Sequence, residues 1–173
     1  MDITKFSNAS FITWLTAFCL MEFPMMYFFT KVIKGENVMK WYDFKTFNVY
    51  NVMVGDIFYV FVGLIITYRL YQYFFGEETN IWKFFLVFAL VQIVGDFTFY
   101  QIITKIIPSS VGGKWLSFFR NYGKTAGPYA IIGDTIYILI WTAVAYLIQH
   151  LALDIKYAII FLFIFILSII AES

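Results

Sequence analysis

Four carboxyls are the residues of this chain best placed to do chemistry. Three belong to a phrase written three times: Gly55-Asp56-Ile57-Phe58-Tyr59, Gly95-Asp96-Phe97-Thr98-Phe99-Tyr100 and Gly133-Asp134-Thr135-Ile136-Tyr137. Each phrase puts a small residue before an acid and a tyrosine about one helical turn after it. The fourth acid, Glu22, stands alone in another apolar run. An ionisable side chain at membrane depth is costly, and so it marks a functional site by default. Four carboxylates gathered in a low dielectric repel one another. They must be protonated, bound to a metal or paired with hydrogen-bond donors. The donors expected nearby are Tyr59, Tyr100, Tyr137 and Gln92. Gln92, Asp96 and Tyr100 are spaced by four, which makes a polar stripe on one helix face. No Lys or Arg falls in the same layer.

Such a layer has two readings. It can be a proton or cation pathway or a hard-metal site, and all-oxygen ligands would favour Ca²⁺, Mg²⁺ or Mn²⁺ over Zn²⁺. It can equally be a polar plug that fixes helix register. Catalysis finds little support. The one histidine, His150, lies at the end of an apolar run, and there is no nucleophile elbow, phosphate loop or His–acid metal spacing. An enzyme is not expected and no cofactor is implied; whether a metal is held stays open.

The elements that must position these acids are membrane spans. The chain is 62% hydrophobic and 13% charged with a mean hydropathy of +0.79, against about 45–50% and about 25% for a soluble domain. The expected fold is an all-α integral membrane helical bundle over residues 1–173, with spans near 11–32, 47–71, 81–107, 127–149 and 157–171. The last is short: it is either a fifth span that borrows residues from the turn before it or a tilted, partial one. No cleavable signal peptide is evident, so the first run reads as a retained span. Within it Pro24 removes one helical hydrogen bond and marks a kink. Met21, Met25, Met26 and Cys19 surround Glu22 and read as apolar fillers. Gly55 and Gly63 share a face that permits close helix approach.

The connections carry their own signals. In 31–46, four lysines including Lys40 accompany Trp41-Tyr42, which reads as an interfacial anchor. The longest loop, 109–126, places Trp115, Leu116, Phe119 and Tyr122 on one face and Lys114, Ser117 and Asn121 on the other. Arg120 and Lys124 lie near its end. That pattern predicts a short amphipathic helix over 114–122 lying at the membrane surface. Asp154 and Lys156 read as a turn before the last span.

Charge placement suggests the topology. The connections 31–46 and 105–127 hold eight of the twelve Lys and Arg residues. This bias predicts that both are cytoplasmic, with the N-terminus outside and the C-terminus inside. The Asn8-Ala9-Ser10 sequon then faces outward, too close to the first span to be used. Measured from the cytoplasmic span ends, the four acids lie about 7 to 11 residues in, roughly 10–16 Å at about 1.5 Å per residue. Four helices of alternating direction thus bring four carboxyls to one depth. The basic loops suit anionic lipid or an acidic protein partner. Nucleic acid is not expected, and a homo-oligomer stays open.

Several stretches resemble a known group. The run Val91–Tyr100, then Pro108, then Phe118-Phe119-Arg120-Asn121-Tyr122-Gly123-Lys124, then Ala130–Asp134 is similar to uncharacterised polytopic membrane proteins of giant DNA viruses, of the nucleocytoplasmic large DNA virus type. Trp41-Tyr42 ahead of Asn48 and Gly55-Asp56 fits the same pattern. The resemblance spans most of residues 40–150. It implies a viral membrane, the lipid layer under a capsid, and carries over no catalytic residue. A peroxisomal and mitochondrial inner-membrane channel family shares the Gly-Asp and later Gly-Pro pattern. Its closing tryptophan-rich and arginine-bearing segments are missing here, which sets that family aside.

Two functions follow. One is a structural or assembly component of a viral or virus-modified membrane, with Lys40, Trp41, Lys114, Trp115, Arg120 and Lys124 contacting capsid protein or anionic lipid. The other is a small proton or cation channel or transporter built on Glu22, Asp56, Asp96 and Asp134 with Tyr59, Gln92, Tyr100 and Tyr137.

Overall fold

A computed structural model describes residues 2–108 and 110–172, with Pro128 described by its backbone alone. Ser109, placed at the start of the longest loop above, lies outside the described residues.

Helices form because apolar runs in a bilayer must satisfy every backbone polar group internally. Among the described residues there are seven α-helices. α1 (Asn8–Tyr27) widens into a π-helical turn over Phe28–Ile33. α2 (Glu36–Trp41) is a short connecting helix, and α3 (Val49–Phe75) the second long one. α4 (Ile81–Gln101) also ends in a π-helical turn, Ile102–Ile106. α5 (Lys114–Ala126), α6 (Pro128–Ile148) and α7 (Leu153–Ala171) complete the chain. Among the described residues five helices are long and apolar enough to cross a membrane: Asn8–Ile33, Val49–Phe75, Ile81–Ile106, Tyr129–Ile148 and Leu153–Ala171. The chain is an all-α, multi-pass membrane bundle.

Side chains set the helix starts. Ser7 and Ser10 form a reciprocal capping box at α1. Asn48 accepts from Tyr50 N at 2.9 Å, and Asn80 accepts from Trp82 N and Lys83 N at 3.0 and 3.1 Å. α5 and α6 are separated by Gly127, whose φ of 51° is a left-handed conformation open to glycine.

The spans close into a ring. α1 packs against α6 and α7, α6 against α4, α4 against α3, and α3 against α7. The middle is filled, not hollow. Trp14 and Trp141 are completely buried with ring centroids 4.9 Å apart, and Phe61, Phe84, Phe88 and Leu64 pack around them. The indole and phenol groups of this plug are satisfied. Trp14 Nε1 donates to the Tyr68 hydroxyl at 2.9 Å, Tyr68 donates to Ile3 O at 2.7 Å, and Trp141 Nε1 donates to Trp14 O at 2.9 Å. Outward positions such as Phe58, Phe74, Leu86 and Phe161 remain exposed, as expected of surfaces that meet lipid.

Three expectations need correction. α3 runs to Phe75, a turn beyond 71, because Arg69 and Gln72 are exposed at the helix end and their polar groups do not interrupt the helix. α7 begins at Leu153 and not at 157, so Asp154 and Lys156 lie in its first turn, which is the reading in which the span borrows residues from the turn. Its 19 residues span about 28 Å at about 1.5 Å per residue, which is close to a full crossing. The amphipathic helix is also longer than 114–122, reaching Ala126, because the chain turns only at Gly127.

Candidate functional site: a roofed layer of four carboxyls

The four acids are brought together. Glu22 of α1 is fully buried. Its Oε1 accepts a hydrogen bond from the Tyr42 hydroxyl at 2.7 Å, and its Oε2 accepts one from the Tyr137 hydroxyl at 2.7 Å. Asp56 of α3 accepts from Trp41 Nε1 at 3.2 Å. Asp96 of α4 accepts on Oδ1 from the Tyr59 hydroxyl at 2.5 Å and from Gln92 Nε2 at 2.8 Å. Its Oδ2 is buried without a hydrogen-bond partner. Asp134 of α6 lies beside Asp96 and within electrostatic reach of Asp56.

The donors differ from the local pattern. Tyr59 serves Asp96 on the neighbouring helix and not Asp56 on its own. Tyr137 serves Glu22 and not Asp134. A side chain three residues on along a helix sits beside the acid but points across to the next helix, so each tyrosine links two spans. Tyr100 makes no bond to an acid. Its ring lies against Gly123 of α5, where a Cβ would come within 2.4 Å of it. Gln92 alone serves the acid on its own helix. Of the two glycines expected on one helix-packing face, Gly63 faces Phe88, Val91 and Gln92 of α4, whereas Gly55 faces the Trp115 ring.

The sequence alone reads Trp41 and Tyr42 as an interfacial anchor. They turn inward instead, because the short α2 aims both toward the bundle. Tyr42 reaches Glu22 and Trp41 reaches Asp56. Burial, then the Glu22 and Asp56 charges, raises the Tyr42 phenol well above the usual tyrosine range, so it stays a donor. Around Trp41 stand Trp115, Phe118 and Phe119 of α5 with centroids 5.0, 5.1 and 5.2 Å away, and Phe47 at 5.7 Å. Together these rings roof the acid layer.

The basic residues divide into two sets. Lys114 donates to the Thr46 carbonyl and stands over the Phe47 ring. Arg120 forks onto the carbonyls of Ile103, Ile107, Pro108 and Val111 at 2.9–3.2 Å. Both therefore hold the roof to the bundle. Lys40 pairs with Glu36 at 2.6 Å on the surface, and Lys124 is exposed. Lys31, Lys34, Lys45 and Lys105 are exposed as well.

Among the described residues no group of three or more His, Cys, Asp or Glu side chains is arranged to hold a metal ion. None of the ion pairs among them reaches the acids. The layer therefore consists of four carboxyls and five neutral donors: Tyr42, Tyr137, Trp41, Tyr59 and Gln92. Sequence reasoning reached the acids but missed Trp41 and Tyr42. Their adjacency in a short loop directly between two acid-bearing spans was the available signal.

The chain matches no protein-family model, no curated protein and no solved structure.

Proposed function

We propose that this chain is a structural component of a membrane, viral or virus-modified as the sequence resemblance suggests, in which the carboxyl layer locks four of the five spans and their aromatic roof into one unit. The carrying observation is closure on both sides. The Trp14–Trp141 plug fills the bundle beyond the acids, and the Trp41–Trp115–Phe118 roof covers them. A polar layer enclosed this way supports register and lid position rather than a continuous aqueous path. Lys31, Lys34, Lys105 and Lys124 stay exposed around the roof and suit anionic headgroups or an acidic capsid surface. On this reading the roof is cytoplasmic and the N-terminus lies on the opposite side, as the Lys and Arg bias supports.

A specific observation favours a second reading, proton or cation movement. Asp96 Oδ2 is buried with only the Asp134 carboxyl to pair with, and none of the ion pairs among the described residues reaches them. Four carboxyls with only neutral donors require a proton or a cation for charge balance.

Proton and divalent-cation flux in liposomes, wild type beside Asp96→Asn, separates the two. The structural reading expects tight vesicles in both cases. Flux in the wild type that Asp96→Asn abolishes would replace it with the transport reading.

A further inference from the structure

We propose that the opposite end of the bundle carries an anion site for a phosphate group, built around Lys156. Lys156 lies in the first turn of α7 and is only 2% exposed. Its Nζ donates to Thr13 Oγ1 of α1 at 2.8 Å and to the Gln149 carbonyl at 3.0 Å. Both partners are neutral. None of the ion pairs among the described residues includes this lysine. An ammonium has three donors, so one remains beyond these two bonds.

A buried cation without a counter-charge is expensive, and an anion brought to it relieves that cost. Room for one exists. A hollow of about 260 Å³ is lined by Ala9, Gln149, His150, Leu151, Leu153 and Lys156. It opens where the 149–152 connection meets the start of α1. The start of α7 adds to the attraction. Ala152 supplies no side-chain cap, so the first backbone N–H groups of α7 have no capping acceptor. Two carboxylates are near. Asp154 is exposed in the same first turn, and Asp2, which borders an adjoining hollow, is turned onto Thr4 N and Oγ1 at 2.8 and 2.7 Å. Neither pairs with Lys156.

One turn into a spanning helix is the depth of lipid headgroups. The shared chemistry is a phosphate, carried either by an anionic lipid or by free phosphate. The site is independent of the carboxyl layer and of the role proposed for it.

Native mass spectrometry of the full chain, released from nanodiscs of equal phosphatidylcholine and phosphatidylglycerol, reads the lipid source. Thermal unfolding in a zwitterionic detergent, with millimolar inorganic phosphate against chloride at equal ionic strength, reads the free anion. The wild type is expected to keep one phosphatidylglycerol with a preference of about tenfold, or to gain thermal stability from phosphate. Lys156→Met loses the effect and Lys156→Arg keeps it. Arg69→Gln, which removes an exposed cation that takes no part in the site, leaves it in place. A wild type that shows neither effect overturns the proposal, whether or not Lys156→Met folds. So does a lipid preference that survives Lys156→Met and falls only in Lys105→Gln with Lys124→Gln, because the lipid then sits at the roof.

Discussion

Tyr42 donates to Glu22 at 2.7 Å from a loop twenty residues further along the chain, so the connection after the first span is tied to that span's own acid. Tyr137 holds the other oxygen of the same carboxyl from α6. Removing a partner from a buried hydrogen bond costs about 1–3 kcal/mol. Tyr42→Phe and Tyr137→Phe should each destabilise the chain by that amount in equilibrium unfolding from mixed detergent. Because both act on one carboxyl, the double variant should depart from additivity by more than about 0.5 kcal/mol. Strict additivity would show that Glu22 does not couple the two elements.

Two glycines inside helices should behave in opposite ways. A Cβ at Gly123 would sit 2.4 Å from the Tyr100 ring, whereas a Cβ at Gly133 meets nothing within 4 Å. Gly123→Ala should cost about 1–3 kcal/mol through overpacking. Gly133→Ala should be neutral or stabilising by up to about 1 kcal/mol, since alanine is the better helix former. Tyr100→Leu should recover much of the Gly123→Ala loss. If both alanine variants unfold at the same point, α5 does not seat on α4 in this way.

What the sequence made legible was what repeats or runs long. Five apolar runs and their acids stand out because membrane spanning constrains every residue in a run. The amphipathic pattern of α5 survives for the same reason, as one helix face has a different neighbour from the other. Partners across elements stayed hidden. The spacing of Asp56 and Tyr59 says that they are near each other, yet Tyr59 bonds to Asp96, which is a property of how α3 meets α4. Lys156 read as a turn residue because charge near a span end is ordinary. Only packing against α1 shows that its ammonium is buried against Thr13.

Alkaline conditions should loosen the roof. Burial first, with the neighbouring acids second, holds the phenols of Tyr42 and Tyr122 above their ordinary range. In the unfolded chain a tyrosine loses its proton near pH ~10. Above that pH the folded chain therefore binds more protons than the unfolded one, and stability falls as pH rises. Below pH ~10 the contribution is complete. At the acid end Glu36, held down mainly by its bond from Lys40, and Glu77, held down by Lys5, act with the opposite sign. Their contribution is present above pH ~4.3 and lost below it, and full exposure keeps it small. Thermal midpoints from pH 6 to 11 should show the alkaline fall, and Tyr42→Phe should make that limb shallower. An unchanged slope in Tyr42→Phe would remove Tyr42 from the account.

Arg120 should resist conservative replacement. Its Nε and both Nη atoms reach four carbonyls at the end of the α4 π-helical turn and in the connection beyond it. Ile103 and Ile107 belong to the last turn and cap of that helix, whose final carbonyls lack intrahelical partners. A guanidinium presents five donors in a fixed planar fork, whereas an ammonium is a single point with three. Charge alone therefore cannot restore the arrangement, and Arg120→Lys should behave nearly like Arg120→Gln. Each should lose about 1.5–3 kcal/mol and free the 107–113 connection from α5. Tryptic cleavage at Lys105 and Lys114 in proteoliposomes reads this directly, because both bonds flank that connection. Faster cleavage in both variants is the expected result. A wild-type rate in Arg120→Lys would mean that the positive charge, and not the fork, seats the roof.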